Sequence, residues 1–212
     1  MTPKVAVLDY EMSNLRSAVK ALERLGAQVT VATDPAGARE ADAVVLPGVG
    51  HFGEAMKRIR ARRLDEAVAA AVERRAPVLG ICLGLQLLFD ASDEAPGVAG
   101  LGLLPGAARR LRTERKLPQM GWNEVAWSGG PLAPDGDSPG EATYYFVHAY
   151  AVVPDDPDAV LGTAAYGESF CAAAGAGRIM GVQFHPEKSS SAGLALLDRW
   201  TSWVRDVARV PA

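Results

Sequence analysis

Apolar runs and helical stripes alternate along the first half of the chain. Lys4-Val-Ala-Val-Leu-Asp9 is almost continuously apolar, as the strands of a parallel sheet buried on both faces are. Leu15, Val19, Leu22 and Leu25 follow at helical spacing, and Gly26 stands where that helix should stop. Gln28–Ala32 reads as a second strand, after which Asp34-Pro35 offers an N-cap and a proline at the first helical position. Asp42–Pro47 is a third strand; Met56, Ile59, Leu64, Val68 and Val72 mark one long helix behind it. Ala76–Ile81 is a fourth strand running directly into a helix, Leu83–Phe89. Repeated strand–helix alternation predicts right-handed βαβ units: an α/β fold whose open, mostly parallel twisted sheet carries helices on both faces.

The second half changes rhythm. Gly97–Gly140 is rich in Gly and Pro, with a weak strand signal at Gly121–Ala126. Tyr144–Val153, Val160–Ala165, Phe170–Ala174 and Ile179–Phe184 read as strands, with a turn at Gly167-Glu168. Leu194, Leu197, Trp200, Val204 and Val207 form the stripe of a closing helix. Without repeat, linker or low-complexity tract, residues 1–212 read as a single domain.

Composition then removes whole classes of function. With 22 Lys+Arg against 25 Asp+Glu the formal charge is −3, which gives no electrostatic footprint for nucleic acid. No apolar run approaches the length of a membrane helix, and the first residues lack the pattern of a signal peptide. A cytoplasmic protein is expected. Two cysteines, Cys82 and Cys171, are too few for a disulfide framework or a cysteine-rich zinc cage, so no metal and no cofactor are expected.

Gly80-Ile-Cys82-Leu-Gly84 lies between the fourth strand and its helix. A nucleophile on a tight strand-to-helix turn needs small residues two before and two after it, because the backbone there is crowded. Such an elbow projects Cys82 at the sheet's carboxyl edge, where open α/β sheets bind ligands. It also sets the sulfur beside a helix N-terminus. The alternative is a buried structural cysteine, the commoner fate of a lone thiol. Of the three histidines, His185 follows the strand Ile179–Phe184, and Glu187 stands two residues beyond it, past Pro186. Cys82, His185 and Glu187 thus compose a nucleophile, a base and an orienting carboxylate. Leu83 N–H and the flexible Pro47-Gly-Val-Gly50 loop are candidate oxyanion donors, although that loop taken alone reads first as an ordinary turn.

Gly80-Ile-Cys-Leu-Gly-Leu-Gln86 together with Phe184-His-Pro-Glu187 resembles the triad (class I) glutamine amidotransferase family. The resemblance implies a flavodoxin-like fold and attack by Cys82 on the side-chain amide of L-glutamine. His185 would protonate ammonia and then activate water, with Glu187 holding the ring. It further implies an oxyanion loop at Gly48-Val49-Gly50 that rearranges on activation. Gln86 and Glu94 would contact glutamine, as would the backbone of His148-Ala149-Tyr150. The runs Asp9–Leu15, Leu46–Phe52, Pro118–Asn123, Tyr145–Tyr150 and Gln183–Ser189 narrow the likeness. They match members that pass ammonia to a separate (βα)8-barrel cyclase subunit in histidine biosynthesis, as a heterodimer. Asn14, Trp122 and Lys188 match positions at that interface, while a core tryptophan is the alternative for Trp122. Glu11 and Ser13 depart from the family pattern, which has glycines there, and Ala149 stands where serine is frequent.

Other candidates read as structural. Cys171 has no base beside it, His51 finishes a loop, and Gly100-Leu-Gly102 is not followed by a helix. Arg109–Lys116 reads as a solvated face or a patch toward an acidic partner. Two other functions stay open: a glutaminase serving a different synthase, or a thiol protein of the same fold without glutaminase activity.

Overall fold

The computed structural model describes residues 2–134 and 142–208. Its first strands are β1 (Lys4–Leu8), β2 (Gln28–Ala32), β3 (Ala43–Gly48), β4 (Val78–Cys82), β5 (Phe89–Ser92) and β6 (Leu104–Arg110). They continue with β7 (Gln119–Trp127), β8 (Ala142–His148), β9 (Tyr150–Pro154), β10 (Val160–Ala165), β11 (Ser169–Ala176) and β12 (Ile179–Val182). The helices are α1 (Leu15–Arg24), α2 (Phe52–Ala61), α3 (Leu64–Glu73), α4 (Leu83–Leu87) and α5 (Ser190–Val207).

The expected open parallel sheet is present in the order β2–β1–β3–β4–β12. Period-two alternation divides its side chains between two cores. Val5, Val7, Val45, Leu79, Ile81, Met180 and Val182 face the side covered by α1 and α5, where Leu22, Leu197 and Trp200 pack. Ala6, Leu8, Val44, Leu46 and Val78 face the side covered by α2 and α3, against Phe52, Met56, Ile59 and Val68. Burying a side chain such as Leu22 contributes about 1.5–3 kcal/mol. Both faces being covered is why β1, β3 and β4 read as unbroken apolar runs, unlike the exposed edge strand β2.

Beyond β12 the sheet continues antiparallel through β11, β10, β7 and β8. A branch leaves it at β11, where β9 pairs; β9 pairs β6 antiparallel, and β6 pairs β5 in parallel.

Several elements differ from the sequence expectation. The single long helix is two, because Arg63 takes a left-handed φ of 57° between α2 and α3. The apolar rhythm carries the break: Ile59 to Leu64 is a step of five, and Arg62 and Arg63 occupy the positions that a continuous stripe would need. The helix after Asp34 is one 3-10 turn, Pro35–Ala38, capped by Asp34 Oδ1 accepting from Gly37 N at 3.1 Å. Phe89 opens β5 instead of ending a helix, and β6 lies in the Gly- and Pro-rich stretch read as loop. Residues 135–140 of that stretch fall outside the described ones. Tyr144–Val153 is two strands, since Ala149 O turns to accept from Leu111 N at 3.0 Å as the chain passes from β7 to β6 for its pairing.

Candidate active site

Cys82 ends β4, and Leu83 opens α4. Its φ of 56° and ψ of −110° lie where L-residues are rarely found, at a cost of order 1–3 kcal/mol. Close packing holds the turn there. A Cβ on Gly84 would overlap the Leu46 carbonyl, and one on Gly80 would come within 2.7 Å of the Gly84 carbonyl oxygen. With only the five residues Leu83–Leu87, α4 supplies little macrodipole. The full positive charge available to the sulfur belongs to an imidazole.

That imidazole is His185. Val182 pairs with Ile81 in parallel register, so β12 leaves the sheet at the same edge as β4 and carries His185 to Cys82. The backbone at His185 is pinned three ways. Its N–H donates to Tyr145 O at 2.9 Å, and its carbonyl accepts from Ser189 Oγ at 2.6 Å and Lys188 N at 3.0 Å. Nδ1 lies 2.8 Å from Glu187 Oε1, with both side chains withdrawn from solvent. Nε2 has no hydrogen-bond partner among the described residues. Burial on its own would lower the imidazole's pKa, but Cys82 and Glu187 outweigh it and the ring is pushed up to about 10. Cys82 and Glu187 thus favour the charged imidazole, and Glu187 orients the ring with Nε2 turned to the thiol side.

In front of this group a cavity of about 320 Å³ opens. Val49 and Gly50 line it from the end of β3, Cys82 and Leu83 from the elbow, and Gln86 from α4. Glu94, Pro118 and the crossing Val147–Tyr150 complete the wall. Of the residues proposed from sequence for the oxyanion or the substrate, Val49, Gly50, Leu83, Gln86, Glu94, His148, Ala149 and Tyr150 are in that lining, whereas Pro47 and Gly48 of the oxyanion loop are not.

Their hydrogen bonds define what each can still offer. Gln86 Nε2 donates to Tyr150 O at 3.0 Å and to Gln183 Oε1 at 3.1 Å, leaving its carbonyl oxygen for a ligand. One oxygen of Glu94 accepts from Phe52 N at 2.7 Å. His148 Nδ1 lies 2.9 Å from Tyr150 O, so it carries the proton there, and Nε2 lies 3.1 Å from the Gln119 side chain. Burial lowers this ring's pKa to about 4. The Gln119 atom placed there is Oε1; because a neutral imidazole with its proton on Nδ1 accepts at Nε2, the amide is assigned turned over, with its NH2 toward the ring. Tyr150 O already serves two donors, so main-chain contact from this segment to a ligand falls to its N–H groups. Most consequential, Val49 N–H is committed: it donates to Met12 O at 2.8 Å. Leu83 N–H, in the first turn of α4, has no partner within that helix.

The sequence reading assigned no role to Gln183, Met12, Gln119 or Ser189. Gln183, fully buried, donates to Cys82 Sγ at 3.7 Å while accepting from Gln86. It lies in a run already matched to the family, but nothing in the run tells which way it points.

Asn14, Trp122 and Lys188 are all on the surface. Trp122 is 54% exposed beside Met120 at 66%, which excludes the core-tryptophan alternative. Glu11 keeps the positive φ of a glycine, 63°, and its carboxylate is held by Arg62 at 2.6 Å and Arg58 at 3.6 Å. Cys171 is buried against Ala173 O, and burial pushes its thiol up to about 12. His51 caps α2 by accepting from Gly53 N. Arg109 pairs with Asp93, while Arg110 lies over the Tyr150 ring. Among the described residues, no cluster of His, Cys, Asp or Glu could hold a metal, and no helix is long and apolar enough to cross a membrane.

A thiol on a strained elbow, backed by an imidazole and carboxylate at the edge of a parallel sheet, defines a class of enzyme. The chain belongs to the class-I glutamine amidotransferase family, which it matches over residues 6–200. More particularly, it is 47% identical over 201 residues to the imidazole glycerol phosphate synthase subunit HisH of Moorella thermoacetica, covering 95% of each chain. It is 44% identical to the subunit of the same name from a Synechococcus species, over 99% of this chain and 97% of the relative. Among solved structures, PurLQS from Thermotoga maritima matches with TM-score 0.78 at 20% identity, over 96% of this chain and 100% of the matched one. A glutamine amidotransferase crystal structure matches with TM-score 0.73 at 21% identity, over 97% and 99%. These two likenesses establish the shared fold.

Proposed function

We propose that this chain is the glutaminase subunit of an imidazole glycerol phosphate synthase. It acts in the cytoplasm as one domain and forms a heterodimer with the (βα)8-barrel cyclase subunit. The observation that carries the reading is the single cavity in which the Cys82 elbow meets Val49, Gln86, Glu94 and the His148–Tyr150 crossing, with His185 and Glu187 behind it.

The chemistry follows from these groups. Cys82 Sγ, as thiolate beside imidazolium, attacks the side-chain carbonyl carbon of glutamine, and the C=O electron pair moves onto oxygen. His185 Nε2 gives its proton to the departing nitrogen, ammonia leaves, and a γ-glutamyl thioester remains. His185, now neutral, takes a proton from water; hydroxide adds to the thioester carbonyl and the thiolate departs, releasing glutamate. Glu187 keeps Nε2 aimed throughout by holding Nδ1. The carbonyl oxygen of Gln86 and the free oxygen of Glu94 receive the substrate's α-ammonium, and N–H groups of Ala149 and Tyr150 face its carboxylate.

Each tetrahedral intermediate needs at least two donors at its oxyanion, and losing one costs about a hundredfold or more in rate. Leu83 N–H is one. Val49 N–H is the other only after it leaves Met12 O, so the chain alone is a slow enzyme. Asn14, Trp122 and Lys188 dock the cyclase, and binding of that subunit and its nucleotide substrate favours the turned peptide. The ammonia is then joined to the cyclase's substrate, giving imidazole glycerol phosphate and an aminoimidazole carboxamide ribonucleotide.

The test is glutamate release from glutamine by the purified chain, alone and with a barrel cyclase plus its nucleotide ligand. Strong stimulation by the pair is expected, with complete loss in Cys82→Ala. Activity indifferent to the cyclase would move the protein to another synthase, and activity retained in Cys82→Ala would remove the thiol mechanism.

A further inference from the structure

Tyr10 is fully buried, and its hydroxyl has no hydrogen-bond partner among the described residues. A buried hydroxyl without a partner costs about 1–3 kcal/mol, so its position calls for a reason. It sits against the oxyanion loop: a Cβ on Gly48 would overlap Tyr10 Oη, and would lie 3.2 Å from Gly84 N in the elbow helix. Burial, then the negative charges of Cys82 and Asp9, raises the phenol's pKa, so the group is a neutral O–H donor at any working pH.

The Gly48–Val49 peptide is the one whose N–H donates to Met12 O. In a trans peptide, N–H and C=O point in opposite directions. Turning Val49 N–H toward the cavity therefore swings Gly48 C=O to the Met12 side. Met12 O is then left without the donor that the resting arrangement gives it, and the turned carbonyl belongs to Gly48, which is itself buried. Tyr10 O–H, which stands against Gly48, is an unspent donor there.

We propose that Tyr10 is a positioning residue whose hydroxyl donates to the turned Gly48 carbonyl and so stabilises the arrangement in which Val49 N–H serves the oxyanion. This deepens the glutaminase reading and rests on it. The hydroxyl is unsatisfied in the resting arrangement and satisfied in the turned one, a differential interaction of the kind that shifts a two-state equilibrium.

The test is Tyr10→Phe in the full chain, assembled with the barrel cyclase and its nucleotide ligand. One hydrogen bond of this kind is worth roughly tenfold in the population of the turned state. We expect kcat for glutamine hydrolysis to fall by about that factor, with KM for glutamine changed less than twofold. Inhibition by the γ-aldehyde analogue of glutamine, whose adduct with Cys82 places an oxygen in the oxyanion position, should weaken by the same factor. The isolated variant should melt no lower than wild type, because the resting state loses only an unpaired hydroxyl. A purely structural tyrosine would give the reverse: lower Tm with kcat and aldehyde inhibition intact. Lower Tm, or kcat and aldehyde inhibition both as wild type, overturns the proposal. Wild-type complex is measured first. If it does not hydrolyse glutamine, the glutaminase reading and this proposal fall together; an active wild type with an unchanged variant removes Tyr10 alone.

Discussion

Glu187 Oε1 stands 2.8 Å from His185 Nδ1 across a single proline, and neither side chain reaches solvent. The short separation fixes which imidazole nitrogen points to Cys82. Replacing the carboxylate by an amide, Glu187→Gln, keeps the shape and removes the charge. Glutamine hydrolysis by the complex should fall about 10²–10⁴-fold, by analogy with loss of the orienting carboxylate in other triads. A loss under tenfold would mean that the carboxylate is not needed for the chemistry.

Cys82 and, after it, Glu187 hold the His185 imidazole in its charged form, which predicts a pH dependence of stability. His185 is raised from an ordinary 6.5 to about 10, so its contribution to folding is complete below about pH 6.5 and is lost as pH rises through 10. Urea unfolding of wild type and Glu187→Gln should therefore show a stability gap that narrows between these limits. A gap constant across that window would show that the imidazolium is absent from the folded state.

Gln183 links Cys82 to Gln86 from inside the core. In Gln183→Leu, the Gln86 amide loses an acceptor and the sulfur a donor. A loss of about 1–3 kcal/mol in urea unfolding and roughly a tenfold drop in kcat/KM are expected. Wild-type stability together with wild-type kinetics would show that the two contacts carry no weight.

Gly84→Ala tests the elbow. The new methyl would meet the Leu46 carbonyl, a backbone group of the central sheet that cannot swing aside as a side chain could. Overpacking of this kind costs about 1–3 kcal/mol or more. The urea midpoint should drop, and glutaminase activity should disappear with the displaced Cys82. A variant as stable and active as wild type would mean that the turn is looser than described.

Trp122 presents an aromatic ring to solvent from β7, edge-on to Tyr145 at 6.1 Å. Trp122→Ala removes a side chain that is more than half exposed, so the chain's own Tm should change little. Affinity for the cyclase, measured by titration calorimetry, should fall at least tenfold, as expected for a docking anchor. Unchanged affinity would retire the interface assignment.

How much of this was legible beforehand depended on the range of the interaction. Alternating apolar runs placed the five parallel strands, because β1, β3, β4 and most of β12 are buried on both faces and need no particular neighbour to reveal them, while β2, at the edge, keeps a short β-branched pattern. Gly80-Ile-Cys82-Leu-Gly84 and His185-Pro-Glu187 were readable because steric demand on a tight turn and the reach of one side chain over a proline are local. The split of α2 from α3 was present in the spacing from Ile59 to Leu64 but was hidden by the helical pattern on either side.

Other features exist only once the chain is folded. β5 is short and β6 carries Gly and Pro, and both owe their strand character to pairing partners, β9 for one and each other for both, so no periodicity marks them. Parallel pairing of β4 with β12 brings His185 to Cys82; residue types named the two, and register joined them. Whether Gln183 faces the sulfur, whether Trp122 is core or surface, and where Val49 N–H is spent are likewise decided by packing. A sequence specifies which groups can donate, accept or carry charge. Which of those capacities is already consumed by a neighbour distant along the chain, as Val49 is by Met12, is fixed by tertiary structure, because a hydrogen bond depends on separation in space.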